Sequence, residues 1–368
     1  LPPLSLYVHI PWCLRKCPYC DFNSHEARDG IPEAAYVAAL ARDLAAALPL
    51  VAGRTVESVF IGGGTPSLMS AGAIREILGA PPGLTFADDA EVTLEANPGA
   101  IEAAKFAGFR AAGVTRLSLG IQSFDDGKLK ALGRIHSSDE AKRAADLALR
   151  HFEQVNLDLM YGLPGQTLAE ARRDIETAIG FGPGHISAYH LTVEPNTAFF
   201  HAPPDLPDDD LAADMQEMVE ATLAAAGYGH YETSAFAMPG RQCRHNLNYW
   251  TFGDYLGIGA GAHSKVDGRR EARPRSPKDY LADPVARHWQ TIAADDLAGE
   301  FMMNALRLVE GFDAALFEER TGLPLATIEA ELRQAESEGL LVRGQGRIAP
   351  TLRGQRFLNR LLGLFLSS

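Results

Sequence analysis

The sequence predicts an α/β fold: an incomplete (β/α)6 barrel followed by a small C-terminal winged-helix-like α+β module. Three observations carry this reading. Short β-branched runs alternate with Ala/Leu-rich helical stretches through about residue 235, the pattern of βαβ units on a parallel sheet. From Leu297 onward the pattern changes to helices, then a short hairpin, then a last helix. Of the 368 residues, 46% are hydrophobic, which is enough to bury a core.

Leu4–Ile10 reads as the first strand, and Pro11 ends it. Pro32–Leu48 has helical composition. Further strands are expected at Val56–Ile61, Glu91–Ala96, Val114–Ile121, Val155–Met160 and His185–Val193. Helices are expected between them at Ala71–Leu78, Ala100–Ala112, Asp139–Phe152 and Leu168–Phe181. The Pro/Asp-rich stretch Ala202–Asp210 is a joint leading into a helix over Leu211–Ala226, and the basic, proline-containing stretch Asp267–Pro277 is a second joint. In the terminal module, helices fall at Glu300–Leu308, Asp313–Thr321 and Leu325–Glu338. A hairpin follows at Leu340–Arg343 and Gly346–Ala349, then a helix at Leu352–Phe365. The expected division is a barrel over 1–235, a connecting segment over 236–296 and the winged-helix-like module over 297–368.

Charge narrows the function classes. With 34 basic and 47 acidic residues the formal charge is −13, which argues against a dedicated nucleic-acid binder. A winged-helix-like module can read DNA, but this charge favours a packing or protein-interaction role. The tail from Arg343 onward carries five arginines and no acid. It reads either as a basic patch for an acidic partner or for peripheral membrane association, or as a solvated helix face. No apolar run approaches the roughly 20 residues that cross a bilayer. Leu4–Ile10 lacks the basic flank and cleavage site of a signal peptide. The expected location is therefore cytoplasmic.

Four cysteines in a chain this long do not make a disulfide framework. Three of them, Cys13, Cys17 and Cys20, form C-x3-C-x2-C on the loop after the first strand, where a β/α barrel builds its site. Three thiolates can hold three irons of a [4Fe–4S] cluster and leave the fourth iron open. A zinc site completed by His25 or Cys243, or three ordinary reduced thiols, are the alternatives. Gly62-Gly63-Gly64-Thr65-Pro66 follows the second strand and lets backbone approach a ligand closely. Glu95, Gln122 and Asp158 lie at or near the ends of the next three strands, and Arg134 follows in Leu132-Gly-Arg-Ile-His136. Each alone could be structural, but an Asp in an apolar strand needs a partner.

Taken together, these motifs resemble the radical S-adenosylmethionine (SAM) superfamily, and within it the coproporphyrinogen-oxidase-like branch. The resemblance runs from Tyr7 through the C-terminal module. It implies a [4Fe–4S] cluster on Cys13, Cys17 and Cys20, with the open iron chelating SAM. It implies that Tyr7 packs near both, and that Gly63, Gly64, Thr65 and Glu95 address the methionine part. Arg134 would pair with its carboxylate, and Gln122 and Asp158 with the ribose hydroxyls. The oxygen-independent coproporphyrinogen dehydrogenase of this branch has a fourth cysteine where this chain has Phe22. That departure, and the string His245-Asn-Leu-Asn-Tyr-Trp250, resemble instead the branch's haem-chaperone group. The resemblance implies haem binding near His245, with Cys243 a second candidate ligand and Tyr249 and Trp250 able to edge a porphyrin. The implied partners are haem, haem-accepting proteins, and haem and electron donors. The competing readings are the dehydrogenase, which Phe22 disfavours, and a nucleic-acid modifier, which charge disfavours. Whether SAM is cleaved is open at this level.

Overall fold

A computed structural model describes residues 1–79 and 83–366, so the final two residues of the 297–368 segment lie outside the described residues. Its centre is one twelve-stranded sheet. The strands are β1 (Leu4–Ile10), β2 (Thr55–Gly63), β3 (Thr85–Ala96), β4 (Arg116–Gln122), β5 (Gln154–Tyr161) and β6 (His185–His190). These six run parallel in sequence order, as the alternating pattern predicted. Then come β7 (Gly229–Glu232), β8 (Ala235–Ala237), β9 (Asp254–Ile258), β10 (His263–Val266), β11 (Arg269–Ala272) and β12 (His288–Thr291). The spatial order is β12-β11-β10-β9-β1-β2-β3-β4-β5-β6-β8-β7.

Two sequence expectations are revised here. The segment 236–296 is not a free connector: β9 pairs parallel with β1, and β10 to β12 extend that edge antiparallel. Likewise the expected joint Asp267–Pro277 contains β11. These strands are short and polar on one face, so they carry little periodic signal, and only pairing to β1 gives them a place. The helix boundaries shift modestly. Ala100–Ala112 is broken into Ala100–Ala103 and Phe106–Ala111, and Leu352–Phe365 into Leu352–Arg356 and Leu358–Gly363. The strand expected over His185–Val193 stops at His190.

Every second residue of β1 explains the layering. Leu4, Leu6, Val8 and Ile10 are buried on the outer face in the apolar core beneath the helices. Ser5, Tyr7 and His9 alternate with them and face the barrel interior. The helices α1 (Glu33–Ala47), α2 (Ala71–Leu78), α3 (Ser138–His151), α4 (Leu168–Phe181) and α5 (Asp209–Ala225) follow, most of them packed on the outer layer. Ser137 with Glu140, and Thr167 with Glu170, form capping boxes that start α3 and α4 where they do. By length and composition Glu33–Val51 is long and apolar enough to cross a membrane, contrary to the sequence expectation. It is instead a core helix: Tyr36, Val37, Leu40 and Leu44 are buried, and Asp43 is wholly enclosed and ion-paired to Arg273 at 3.1 Å.

The C-terminal module has its own apolar cluster around Phe301, Phe317, Leu332 and Leu361, and it takes in Phe252 from the main body. Its three-stranded sheet contains the predicted hairpin, Leu341–Gly344 with Arg347–Pro350. Four of the five tail arginines are engaged within the protein and do not form a free basic patch. Arg343 pairs with Glu329 and Glu336, Arg356 with Glu220, and Arg360 with Glu338, while Arg347 donates to the Glu310 and Gly311 carbonyls. Their acidic partners lie far back in the sequence or across the helix–hairpin packing, so a local charge count misses them.

Candidate functional site

The C-terminal ends of β1 to β6 surround a cavity of about 350 Å³, within the range of small-molecule sites. Ten of the twelve residues expected at the site line it: Cys13, Cys17, Cys20, Gly63, Gly64, Thr65, Glu95, Gln122, Arg134 and Asp158. Tyr7 and His245 do not.

The cysteine loop is anchored at both ends. Trp12–Cys13 and His25–Glu26 form a short parallel ladder, and Asn23 Nδ2 donates to the carbonyls of Ala260 (3.0 Å) and Arg275 (2.9 Å). Each sulfur has a polar neighbour. Thr65 Oγ1 lies 3.5 Å from Cys13 Sγ, Arg134 Nη1 3.8 Å from Cys17 Sγ and Ser24 Oγ 3.8 Å from Cys20 Sγ. Donors aimed at thiolate sulfurs suit iron–sulfur ligation. A single zinc ion with bonds of about 2.3 Å would need its thiolates drawn within about 4 Å of one another. Among the described residues, no three metal-ligating side chains are gathered that way. Cys243 is bonded to Glu91 at the other end of the barrel, so it is not the missing zinc ligand. Three thiols on one short loop, each with a polar neighbour, fit a [4Fe–4S] cluster with one iron left open.

The glycine run is zipped to the cysteine loop: Gly64 N–H donates to the Ile10 carbonyl and Thr65 N–H to that of Trp12, both at 2.7 Å. A Cβ on Gly64 would sit 2.5 Å from the Trp12 carbonyl oxygen. Gly63 has φ +113°, and a Cβ there would meet the His9 ring at 2.5 Å. Glycine is thus required at both positions by close approach, and at Gly63 by backbone as well.

Two half-buried carboxylates face the cavity. Glu95 accepts from Gly63 N–H at 3.0 Å; burial, and then the nearby Asp158 charge, push its pKa up to about 8. Asp158 accepts from Ser118 Oγ and Asn156 Nδ2, both at 2.8 Å, and burial raises its pKa above the usual range. Opposite them Arg134 is held by Asn97 Oδ1 (2.7 Å) and the Gly120 carbonyl (2.9 Å). One guanidinium and two carboxylates beside three thiols match a ligand with a carboxylate at one end and amino and hydroxyl donors at the other.

Sequence reasoning missed Asn97, which donates to Thr65 Oγ1 at 3.1 Å and so ties the glycine loop to Arg134. Its position two residues after Glu95, just past the strand end, was the available signal. Asp174 was also missed. It accepts from Ser123 Oγ (2.6 Å) and Phe124 N–H (2.8 Å), fixing the turn where Gln122 takes φ +67°. Tyr189, His190, Thr192 and Glu194 line the far wall from the end of β6 onward.

The helix α6 (Arg244–Trp250), which carries the H-N-x-x-Y-W string, closes the opposite mouth of the barrel. Glu91 caps it, accepting from Arg244 N–H at 3.0 Å, and Asn248 Nδ2 donates to Ser5 Oγ at 2.8 Å. His245 is only 5% exposed. Its ring stacks on Phe60 with centroids 4.6 Å apart and meets Tyr249 edge-on at 4.8 Å. Burial pushes its pKa down to about 3, and its Nδ1 has no hydrogen-bond partner among the described residues. Tyr7 lies between the two ends: its hydroxyl is 2.9 Å from His9 Nδ1, and its ring stacks toward Phe60 and His245. The structure therefore brings the residues expected to hold a cluster and SAM together, Tyr7 excepted, and leaves His245 outside that cavity.

Comparison with known proteins agrees with this layout. Residues 7–178 match the radical SAM superfamily, and residues 292–357 match the HemN C-terminal domain. Over its whole length the chain is 50% identical to the haem chaperone HemW of Escherichia coli, covering 99% of that protein. It is 42% identical to the bovine mitochondrial radical S-adenosyl methionine domain-containing protein 1, over 99% of this chain and 87% of that one. The solved structure of Escherichia coli coproporphyrinogen III oxidase, HemN, superposes with a TM-score of 0.84 at 25% identity, covering 100% of this chain and 90% of that one.

Proposed function

The chain belongs to the HemW haem-chaperone family of the radical SAM superfamily, and from that premise we propose that it binds haem and hands it to haem-requiring proteins, with a [4Fe–4S] cluster and SAM held in the barrel cavity. The observation that carries the cofactor reading is the convergence of ten predicted residues on one cavity. When bound, the cluster supplies an electron that can split SAM. Cys13, Cys17 and Cys20 would hold it, and Gly63, Gly64, Thr65 and Glu95 would receive the methionine part. Arg134 would orient the carboxylate, and Gln122 and Asp158 the ribose. The chaperone reading rests on Phe22, whose side chain is 60% exposed where the dehydrogenase has its fourth cysteine, and on the α6 motif.

His245 suits an iron ligand because burial keeps its imidazole neutral and one ring nitrogen lacks a partner. It is enclosed, so haem reaches it only when α6 or its neighbours move. Haem donors, haem acceptors and an electron donor are the partners this reading requires. Thiols reserved for a cluster suit a reducing compartment, and we place the work in the cytoplasm. Haem difference spectra of wild type and His245→Ala test the proposal. The variant is expected to lose the wild-type spectrum; haem uptake by neither protein, or equal uptake by both, overturns it.

The likeness to the HemN structure favours one second reading, coproporphyrinogen dehydrogenation. Anaerobic incubation with coproporphyrinogen, SAM and a reductant decides between the two. No protoporphyrinogen is expected.

A further inference from the structure

One chain of hydrogen bonds crosses the barrel interior from the cavity to α6. The Cys243 amide, at the N-terminus of α6, donates to the Tyr231 hydroxyl at 3.3 Å. That hydroxyl is 2.8 Å from His185 Nε2, and His185 Nδ1 is 2.6 Å from Asn156 Oδ1. Asn156 Nδ2 then donates to Asp158 Oδ1 at 2.8 Å. The chemistry of the two ends fixes every proton between them. Asn156 Nδ2 donates to Asp158, so its Oδ1 accepts from His185 Nδ1–H. Burial keeps the His185 ring neutral, so its Nε2 accepts from the Tyr231 O–H. All four residues, Asn156, His185, Tyr231 and Cys243, are buried, so no water competes for these bonds.

The far end of the chain is an element with reason to have two positions. In the seated helix, His245 Nδ1 and Asn248 Oδ1 are both buried without partners. Unmet buried polar atoms oppose seating. Seating is held by the Cys243 amide and the Glu91 cap at the helix N-terminus, together with Asn248 Nδ2, which donates to Ser5 Oγ and the Asp254 carbonyl.

We propose that this chain couples occupancy of the Asp158 end of the cavity to the seating of α6: a ribose-bearing ligand on Asp158 locks the helix, and its departure frees His245. The inference rests on the reading of the cavity as a SAM site. Ribose hydroxyls donating to Asp158 fix its carboxylate in the orientation that accepts from Asn156 Nδ2. Each link then polarises the next, tightening the Cys243 amide bond. In the empty cavity Asp158 keeps only barrel-wall donors such as Ser118 and Asn156, and the chain slackens. By reciprocity, freeing α6 weakens ribose binding by the same factor.

Hydrogen–deuterium exchange of the reconstituted holoprotein, with and without SAM, tests this. Tyr231→Phe removes the central hydroxyl at nearly constant volume. Tyr228→Phe is the control, since it loses a comparable buried bond, to the Pro183 carbonyl at 2.7 Å, outside the chain. SAM is expected to slow exchange across 243–251 by at least about fivefold more than across α3, in wild type and Tyr228→Phe. In Tyr231→Phe the excess is expected to vanish. Bound SAM with no excess protection in wild type, or an excess that survives Tyr231→Phe, overturns the coupling and leaves the cavity reading intact. No SAM binding by the reconstituted wild type overturns both.

Discussion

Glu95 shows how burial sets the chemistry of a single residue. Its carboxyl lies inside the barrel, facing Asp158, with one N–H donor, from Gly63. Its pKa of about 8 means that an empty site at pH 7 is mostly protonated there. N–H donors of a bound amino group favour the ionised form, so SAM binding releases that proton. Affinity should therefore rise as pH climbs through 8 and level off above it. Between pH 7 and 9 the Glu95 contribution is about tenfold in Kd, by the change in ionised fraction. A ligand amino group titrates in the same range, so Glu95→Gln isolates the effect: the variant should bind more weakly at pH 9 and show a shallower pH dependence. Binding titrations on the reconstituted protein at both pH values measure this, and parallel pH profiles in the two proteins would refute it. His245 is the opposite case. At about 3 its pKa is so low that the imidazole is neutral throughout the physiological range, so its own titration gives haem binding no pH dependence between pH 5 and 8.

The elements that matter are the cysteine loop and the glycine run, each shaped by the other. Gly64 touches the Trp12 backbone so closely that a methyl group must push the loop away. Gly64→Ala should lower iron retention after anaerobic reconstitution by more than half, while Gly180→Ala, in open space on α4, should leave it unchanged. Cys13→Ala, Cys17→Ala and Cys20→Ala should each abolish a stable cluster of about four irons. Iron analysis with absorption spectra checks both statements, and full iron content in a triple alanine variant would refute the site. The spacing C-x3-C-x2-C and the run of three glycines were legible because both are local in sequence. Asn97 and Asp174 were not, because each acts through a bond to a segment 32 or more residues away.

At the scale of the whole molecule, the module and the barrel share structure. Phe252, 3% exposed, belongs to the module's apolar cluster though it follows directly on α6. Arg356 grips Glu220 of α5 with two bonds of 2.8 Å, and Arg270 of β11 meets Glu300 at 2.6 Å. Val309 N–H donates to the Tyr231 carbonyl at 3.1 Å. Calorimetry should therefore record one unfolding transition in which barrel and module melt together. Phe252→Ala should lower its midpoint, at a cost of about 3–5 kcal/mol. Two resolved transitions would show that the parts fold independently. The same contacts place the module against the end of the barrel that α6 closes, which gives it a packing role beside the haem motif.

The sequence by itself determined the six parallel strands, the helices between them and ten of the residues that ring the cavity. Strand periodicity and motif spacing are local, and a β/α barrel delivers every strand end to one face. Only the tertiary structure decided where the other features lie. It built residues 254–291 into the sheet, engaged four of the five tail arginines and extended a polar ladder through the barrel. It also put His245 at the closed end, away from the cysteines that sequence reasoning had joined with it in one function. Those outcomes depend on pairing and packing between segments far apart in the chain. Burial then sets what each group can do, holding His245 neutral and Glu95 protonated where the sequence alone would give both their ordinary behaviour.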